Sequence, residues 1–272
     1  MLKVNRSTYY KHFYSKVAPR IIENRDIRTK ILKLYAAADK RLGARKMQRR
    51  LEVEYGIKIS VGRVYRLMRG MDLPRMSTEK APVRRKKRGK EVGICENLLK
   101  QHFNTDVPNR VWASDITYIK TSKGFCYLCV VLDLYSRKVI GWKVDHKADS
   151  KFTAATLEKA LKARGWPNGV LFHSDRGTQY TSKEFRKYAD SNGIVQSFSA
   201  PGYPYDNAVV ESFFKFLKKE ETDRRHFADE VEVRKSVFEY IEGHYNSKRP
   251  HGANDMLSPN EKEAGFLGHV TR

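Results

Sequence analysis

Apolar residues recur along the first quarter of the chain with the spacing of helices. Ile27, Ile31 and Leu34 stand at i, i+4 and i+7, which predicts an amphipathic helix over 26–38. A second helix is predicted over 44–54, with Met47 and Leu51 inward and Lys46, Arg49 and Arg50 outward. Tyr55-Gly56 breaks that pattern, Ser60 is placed to cap a third helix, and Val61, Val64, Leu67 and Met68 form the inner stripe of that helix. Beyond Pro108 the period shortens. Segments 111–120, 124–135 and 137–144 are rich in Val, Ile, Tyr and Trp, and the breaks between them suit antiparallel connections. A helix over 150–163, a short strand at 169–173, a helix over 182–192, a short strand at 194–197 and a helix over 207–221 come next. The order βββαβαβα predicts an α/β fold, a mixed sheet flanked by helices with the 169–173 strand parallel to the first.

At 272 residues the chain is long enough for two domains with separate cores. Lys and Arg number 54 against 31 Asp and Glu, a net charge of +23, far more than solubility requires, so a polyanionic partner is expected. The positive charge is concentrated in front: residues 1–107 hold 28 basic and 10 acidic side chains, net +18, whereas 108–272 hold 26 and 21, net +5. Arg84, Arg85, Lys86, Lys87, Arg88 and Lys90 put six like charges into seven residues, which repel too strongly to pack. This segment is read as an arm lying along phosphates, the alternative being a solvated spacer; salt-dependent affinity would result. The third helix carries Arg63, Arg66 and Arg69 outward. Three short helices with basic outer faces suit a helix-turn-helix module whose last helix enters a major groove, the alternative being a bundle with solvated arginines. No apolar run approaches the roughly 20 residues that span a bilayer, and residues 1–13 lack the apolar stretch of a signal peptide. A cytoplasmic protein that meets no membrane is expected. Cys126 and Cys129, three apart in a strand, should point to opposite faces as packing residues.

Three carboxylates stand out by position. Asp115 sits mid-strand, where a charge is costly unless it is paired or binds a cation. Asp175 follows the fourth strand, at the carboxyl end where open sheets place ligands. On the last helix Val210, Phe213, Phe214 and Leu217 form one stripe, while Asn207, Glu211, Lys215 and Lys218 form another. If the fold brings Asp115, Asp175 and Glu211 together, their repulsion resists ionisation unless divalent cations lie between them. All-oxygen donors suit Mg²⁺, with Mn²⁺ as a substitute. Two such ions could activate a water or a 3′-hydroxyl and stabilise the leaving oxygen at phosphorus. His173 is read as packed or solvated rather than ligating, and Asp133 is a weaker alternative as a fourth ligand. The loop 199–205, with two prolines, a glycine and two tyrosines, is either a plain connection or a segment that orders over DNA by stacking on bases.

Asp115, Asp175 and, after 35 intervening residues, Glu211 resemble the D,D,35,E triad of transposases and retroviral integrases. Trp112-Ala113-Ser114-Asp115-Ile116-Thr117-Tyr118, His173-Ser174-Asp175-Arg176-Gly177-Thr178-Gln179-Tyr180 and Asp206-Asn207-Ala208-Val209-Val210-Glu211-Ser212-Phe213-Phe214 resemble the signature blocks of bacterial insertion-sequence transposases of the IS-three type. The likeness extends to Tyr245-Asn246-Ser247-Lys248-Arg249-Pro250-His251 and Leu257-Ser258-Pro259. In front, Leu42-Gly43-Ala44-Arg45-Lys46 to Met71-Asp72-Leu73-Pro74 looks like the helix-turn-helix-like region that precedes that core, and Asn5-Arg6-Ser7-Thr8-Tyr9-Tyr10 like the family's second-frame opening.

The resemblance implies an N-terminal arm over 1–24, a small all-α helix-turn-helix-like domain over 25–76, a basic linker over 77–107 and a ribonuclease-H-like integrase catalytic core over 108–272. It implies that Asp115, Asp175 and Glu211 hold two Mg²⁺ ions and that Lys218 contacts DNA, with Lys215 and Asn207 on its stripe as further candidates. Hydrolysis would free a 3′-hydroxyl at the element end, and that hydroxyl would attack a second phosphodiester without a covalent enzyme intermediate. The implied partners are double-stranded DNA of the terminal repeats and of the target, and further copies of the chain in the DNA complex. An upstream-frame protein, supplying another helix-turn-helix and a leucine zipper, would complete them at the bacterial nucleoid. Two rivals stand beside this reading: a ribonuclease-H-like nuclease that joins nothing, and a non-enzymatic DNA-binding regulator, against which the complete carboxylate set argues.

Overall fold

The computed structural model describes residues 5–7, 9–10, 18–73, 96–200 and 204–270. The expected arm residues Arg84, Arg85, Lys86, Lys87 and Arg88 lie outside the described residues. The chain forms two compact units, Met1–Met76 and Ser77–Arg272. Among the described residues no helix is long and apolar enough to cross a membrane.

The first unit is built from α1 (Pro19–Ala37), α2 (Ala44–Tyr55) and α3 (Val61–Arg69). Ile27, Ile31, Leu34, Met47, Leu51, Val64 and Leu67 meet in one apolar core, as the spacing predicts. Helix α1 starts seven residues before the expected 26–38 segment, because Pro19 at its first turn fixes the backbone for helix entry. Those added turns bury no stripe, with Ile21 and Ile22 exposed, so periodicity alone could not reveal them. Gly56 ends α2 at φ +65°, a conformation that costs glycine nothing. Ser60 Oγ accepts from Arg63 N at 3.3 Å and so caps α3 as expected.

The second unit contains β1 (Val111–Thr121), β2 (Gly124–Asp133), β3 (Val139–Asp145), α4 (Ser150–Ala163), β4 (Leu171–Ser174), the single turn α5 (Thr178–Thr181), α6 (Lys183–Ser191), β5 (Val195–Phe198), α7 (Ala208–Glu220), α8 (Glu230–Tyr240) and α9 (Pro259–Val270). The sheet order is β3-β2-β1-β4-β5. The first three strands run antiparallel, and β4 lies parallel to both β1 and β5, the mixed sheet expected from the element order.

Side chains alternate across β1 with period two. Ala113 and Ile119 face a core shared with Val210, Phe213, Phe214 and Leu217 of α7 and Val233 and Val237 of α8. Trp112 faces the opposite core, with Leu157 and Leu161 of α4 and Phe185 of α6. Cys126 joins the first core, whereas Cys129 lies 3.6 Å from the Tyr180 hydroxyl, so the two thiols occupy opposite faces. Helix α4 lies almost on the backbone of β3: a Cβ on Gly141 would stand 2.8 Å from the Thr156 carbonyl and 2.9 Å from Ala160 N.

The segment after α7 closes the unit through polar clamps. Asn246 meets edge strand β3 as another strand would, Oδ1 accepting from Val139 N and Nδ2 donating to Val139 O, both at 3.0 Å. Arg249 is 2% exposed and Glu220, in the last turn of α7, is 1% exposed. Arg249 Nε donates to Glu220 Oε2 at 2.9 Å and Nη2 to Oε1 at 2.8 Å. The guanidinium also lies 3.9 Å over the Phe216 ring.

Candidate active site

The sheet register sets the level of the two aspartates. Ala113 on β1 pairs with His173 on β4 in parallel, and Asp115 and Asp175 each stand two residues further along. The same alternation that turns Ala113 toward α7 turns Asp115 toward it. Asp115 is 8% exposed, and its Oδ1 accepts from Ile116 N at 2.8 Å. Asp175 Oδ1 accepts from Gly177 N at 3.0 Å. A Cβ at Gly177 would lie 2.9 Å from that same oxygen and 2.6 Å from Gln179 Oε1, so a side chain there would make both of those side chains shift.

Glu211 occupies the first turn of α7 and is exposed. Its helix is fixed to β1 by Val210, Phe213 and Phe214 below, and by Asn207, whose Nδ2 donates to the Ser114 carbonyl at 3.0 Å. Among the described residues no three His, Cys, Asp or Glu side chains stand close enough together to hold a metal ion. The aspartates are levelled by β1 and β4, and Glu211 projects from the helix covering their face.

Several expected residues have a different surrounding from the one their stripe suggests. Asn207, grouped with the DNA contacts, is instead 6% exposed with its amide nitrogen committed to Ser114. Its Oδ1 is buried and has no hydrogen-bond partner. Lys215 is exposed, and Lys218 is half-buried with Nζ 4.9 Å from the centre of the Tyr118 ring on β1. In the first unit, Arg66 and Arg69 are exposed on α3. Arg63 instead turns its fork back to α1, its Nη2 donating to Glu23 Oε2 at 2.7 Å and its Nε to Asn24 Oδ1 at 3.1 Å. That bond raises the Arg63 pKa and lowers that of Glu23.

His173 is fully buried, with Nδ1 2.9 Å from Ser197 Oγ and Nε2 3.1 Å from Ser199 Oγ. Burial pulls its pKa down to about 4, so it is a neutral, packed imidazole. Asp133 is fully buried too and serves the turns: Oδ2 accepts from Asn109 N at 2.9 Å and Oδ1 from Tyr135 N at 3.0 Å. Burial raises the pKa of its carboxylate, and both oxygens are taken up by these turns.

Sequence reasoning missed the polar cluster beneath the aspartates. Ser114 Oγ lies 2.8 Å from the Tyr180 hydroxyl, and Cys129 Sγ lies 3.7 Å from Ser114 Oγ. Burial raises the Cys129 thiol to about 11, which removes it from redox or nucleophilic roles. Asp206 was also missed. It is 2% exposed, with Oδ2 accepting from Asn97 Nδ2 and Ala200 N, both at 2.8 Å, and Oδ1 from Gln101 Nε2 at 3.0 Å. All these residues but Asn97, Gln101, Cys129 and Ala200 fall within the segments 112–118, 173–180 and 206–214, which was the available signal.

Two integrase core domain families match residues 106–204 and 192–259, and an HTH-like domain family matches 22–86. The catalytic core domain of BIV integrase superposes with a TM-score of 0.43 at 18% identity, over 60% of this chain and 99% of that one. A transposase for insertion sequence element IS904 from Lactococcus lactis is 39% identical over 167 residues, 61% of this chain and 66% of that protein. Transposase InsF for insertion sequence IS3A from Escherichia coli K12 is 36% identical over 268 residues, 97% of this chain and 91% of that protein. Identity above a third along nearly the whole of both sequences places the chain in the family of IS3-type insertion-sequence transposases.

Proposed function

We propose that this DNA transposase acts through Asp115, Asp175 and Glu211 as oxygen donors for two Mg²⁺ ions, with Mn²⁺ able to substitute. The donor chemistry fits, since carboxylate oxygens are what a small hard cation prefers. When bound, the ions supply Lewis acidity for in-line displacement at phosphorus. The observation that carries this reading is the β1/β4 register, two positions short of Asp115 and Asp175, on the face that the Glu211 helix covers.

The chain's own residues do the positioning. Gly177 N fixes one oxygen of Asp175, Ile116 N fixes one of Asp115, and Asn207 and the apolar stripe of α7 fix the helix of Glu211. Lys215 and Lys218 lie four and seven residues beyond Glu211 and suit the phosphates of the DNA end. Arg66 and Arg69 suit the terminal repeat, and the 84–88 arm suits the backbone beside it. The reaction so assigned is hydrolysis that frees a 3′-hydroxyl at the element end, then attack of that hydroxyl on a target phosphodiester. The proposed assembly holds both DNAs between copies of this chain, with an upstream-frame protein as a further partner at the nucleoid.

The test is incubation of the full chain with a labelled duplex of its element end and a plasmid target, in Mg²⁺, Mn²⁺ or EDTA, beside Glu211→Gln. Joined products that need metal and vanish in the variant are expected. Cleavage without joining would favour the nuclease, and undiminished joining by Glu211→Gln would remove Glu211 from the site.

A further inference from the structure

Asn207 closes the short turn Pro204–Asn207 and precedes α7, one helical turn before Glu211. Its Nδ2 donates to the Ser114 carbonyl. A carbonyl can only accept, so this bond fixes which end of the amide is oxygen. The oxygen end, Oδ1, is buried without a hydrogen-bond partner on a residue only 6% exposed. A buried amide oxygen left without a donor is costly, and such groups mark unseen water, ions or catalytic roles.

Its neighbourhood narrows the choice. Ser114 directly precedes Asp115, and its hydroxyl lies 2.8 Å from that of Tyr180, five residues after Asp175. Through its carbonyl Ser114 also holds Asn207, four residues before Glu211. One buried serine thus ties together the three segments that carry the carboxylates, and the orphaned oxygen lies on the residue bound to it. A magnesium ion retains several of its waters, which are strong donors seeking fixed acceptors.

We propose that Asn207 is a positioning residue of the metal centre. Its Nδ2 ties the Glu211 helix to the Asp115 strand, and its Oδ1 accepts a hydrogen bond from the hydration shell of the bound cation. This rests on the assignment of Asp115, Asp175 and Glu211 as metal donors. It separates Asn207 from the lysines of its stripe: the asparagine serves the cation, not the phosphates.

The test is Mn²⁺ binding to the full chain without DNA, read by electron paramagnetic resonance, for the wild type, Asn207→Leu, Asn207→Asp and Glu211→Gln. Urea midpoints from tryptophan fluorescence check that each variant is folded. Leucine keeps the buried volume and removes both polar ends; aspartate keeps an oxygen acceptor. Asn207→Leu is expected to bind Mn²⁺ about tenfold more weakly, the worth of one hydrogen bond in a charged setting. Asn207→Asp is expected to restore affinity to within about threefold of wild type or to exceed it. Wild-type affinity in Asn207→Leu, or equal losses in both variants, would overturn the proposal while leaving the carboxylate assignment standing. Unchanged affinity in Glu211→Gln, or no Mn²⁺ binding by the wild type, would instead overturn the carboxylate assignment and this proposal with it.

Discussion

Replacing Arg249 with methionine should destabilise the Ser77–Arg272 unit more than any surface change, although the residue is remote in sequence from the aspartates. The guanidinium meets Glu220 through Nε at 2.9 and 3.2 Å and through Nη2 at 2.8 Å, and the Tyr240 hydroxyl donates to the same carboxylate at 2.9 Å. With Glu220 1% exposed, deletion of the guanidinium leaves its carboxylate buried beside the Tyr240 hydroxyl and the His244 imidazole, whose Nε2 lies 3.7 Å away, without the permanent cation that meets it through three contacts. Breaking such a buried pair from one side costs about 3–5 kcal/mol, and lost contact with the Phe216 ring adds to it. For a unit of this size that corresponds to a fall in Tm of roughly 6–20 °C.

The assay is built into the chain. Its three tryptophans, Trp112, Trp142 and Trp166, all belong to Ser77–Arg272, so their fluorescence in a urea titration reports that unit alone. Removing both charges with Arg249→Met and Glu220→Leu should recover at least half of the loss, because no buried carboxylate is then left without its guanidinium. The deficit of the single variant should also shrink as the pH falls from 7 toward 5, because a carboxyl buried without its cation takes up a proton. A single-variant cost below about 1 kcal/mol, or strict additivity in the double variant, would refute the view that this pair is one buried unit.

The same packing sets two further outcomes. His173 is held near 4 against an ordinary value of 6.5, so between those values the unfolded chain binds a proton that the native chain refuses. Stability should fall as pH drops through that window, by on the order of 3 kcal/mol; His173→Gln should flatten the urea midpoint relative to wild type, and parallel profiles would contradict it. Gly141→Ala puts a methyl 2.8 Å from the Thr156 carbonyl and 2.9 Å from Ala160 N, and overpacking of this kind costs about 1–3 kcal/mol, measurable as a lowered urea midpoint; a midpoint equal to wild type would show that α4 shifts freely.

The strands and the helix at 150–163 were legible because they announce themselves locally, and the three carboxylates were singled out by their place on those elements, their role being the proposal made above. Ser150–Ala163 matches its expected bounds, since its large apolar residues Phe152, Leu157 and Leu161 are all buried. What escaped was made by partners distant in the chain. Arg63 and Glu23 are 40 residues apart and Asn207 and Ser114 are 93 apart, so a helical stripe drawn from sequence placed Arg63 and Asn207 among the DNA contacts without seeing those partners. Helix α8 was missed although its signal was present. Asp229 Oδ1 accepts from Val231 N at 3.1 Å, while Glu232 Oε2 accepts from Ala228 N at 2.7 Å, a cap written in adjacent residues. The likeness at 245–251 was visible, but its physical content was not, since Asn246 and Arg249 act only through β3 and α7.

On the proposed assignment of Glu211, that content connects the far end of the unit to the chemistry. Helix α7 carries Glu211 in its first turn and Glu220 in its last. At the first turn it is held to the backbone beside Asp115 through Asn207, and at the last it is held by Arg249. A helix pinned at both ends resists sliding and rotation, which is what the proposed donor role of Glu211 needs beside Asp115 on β1 and Asp175 just beyond β4. The apolar stripe between the pins, Val210, Phe213, Phe214 and Leu217, sets distance from the sheet but resists rotation weakly, because neighbouring apolar contacts are interchangeable. The hydrogen-bonded pins are not interchangeable, and each occurs at a site of extreme burial. The polar residues of the C-terminal segment therefore belong to the positioning of Glu211 as much as to stability.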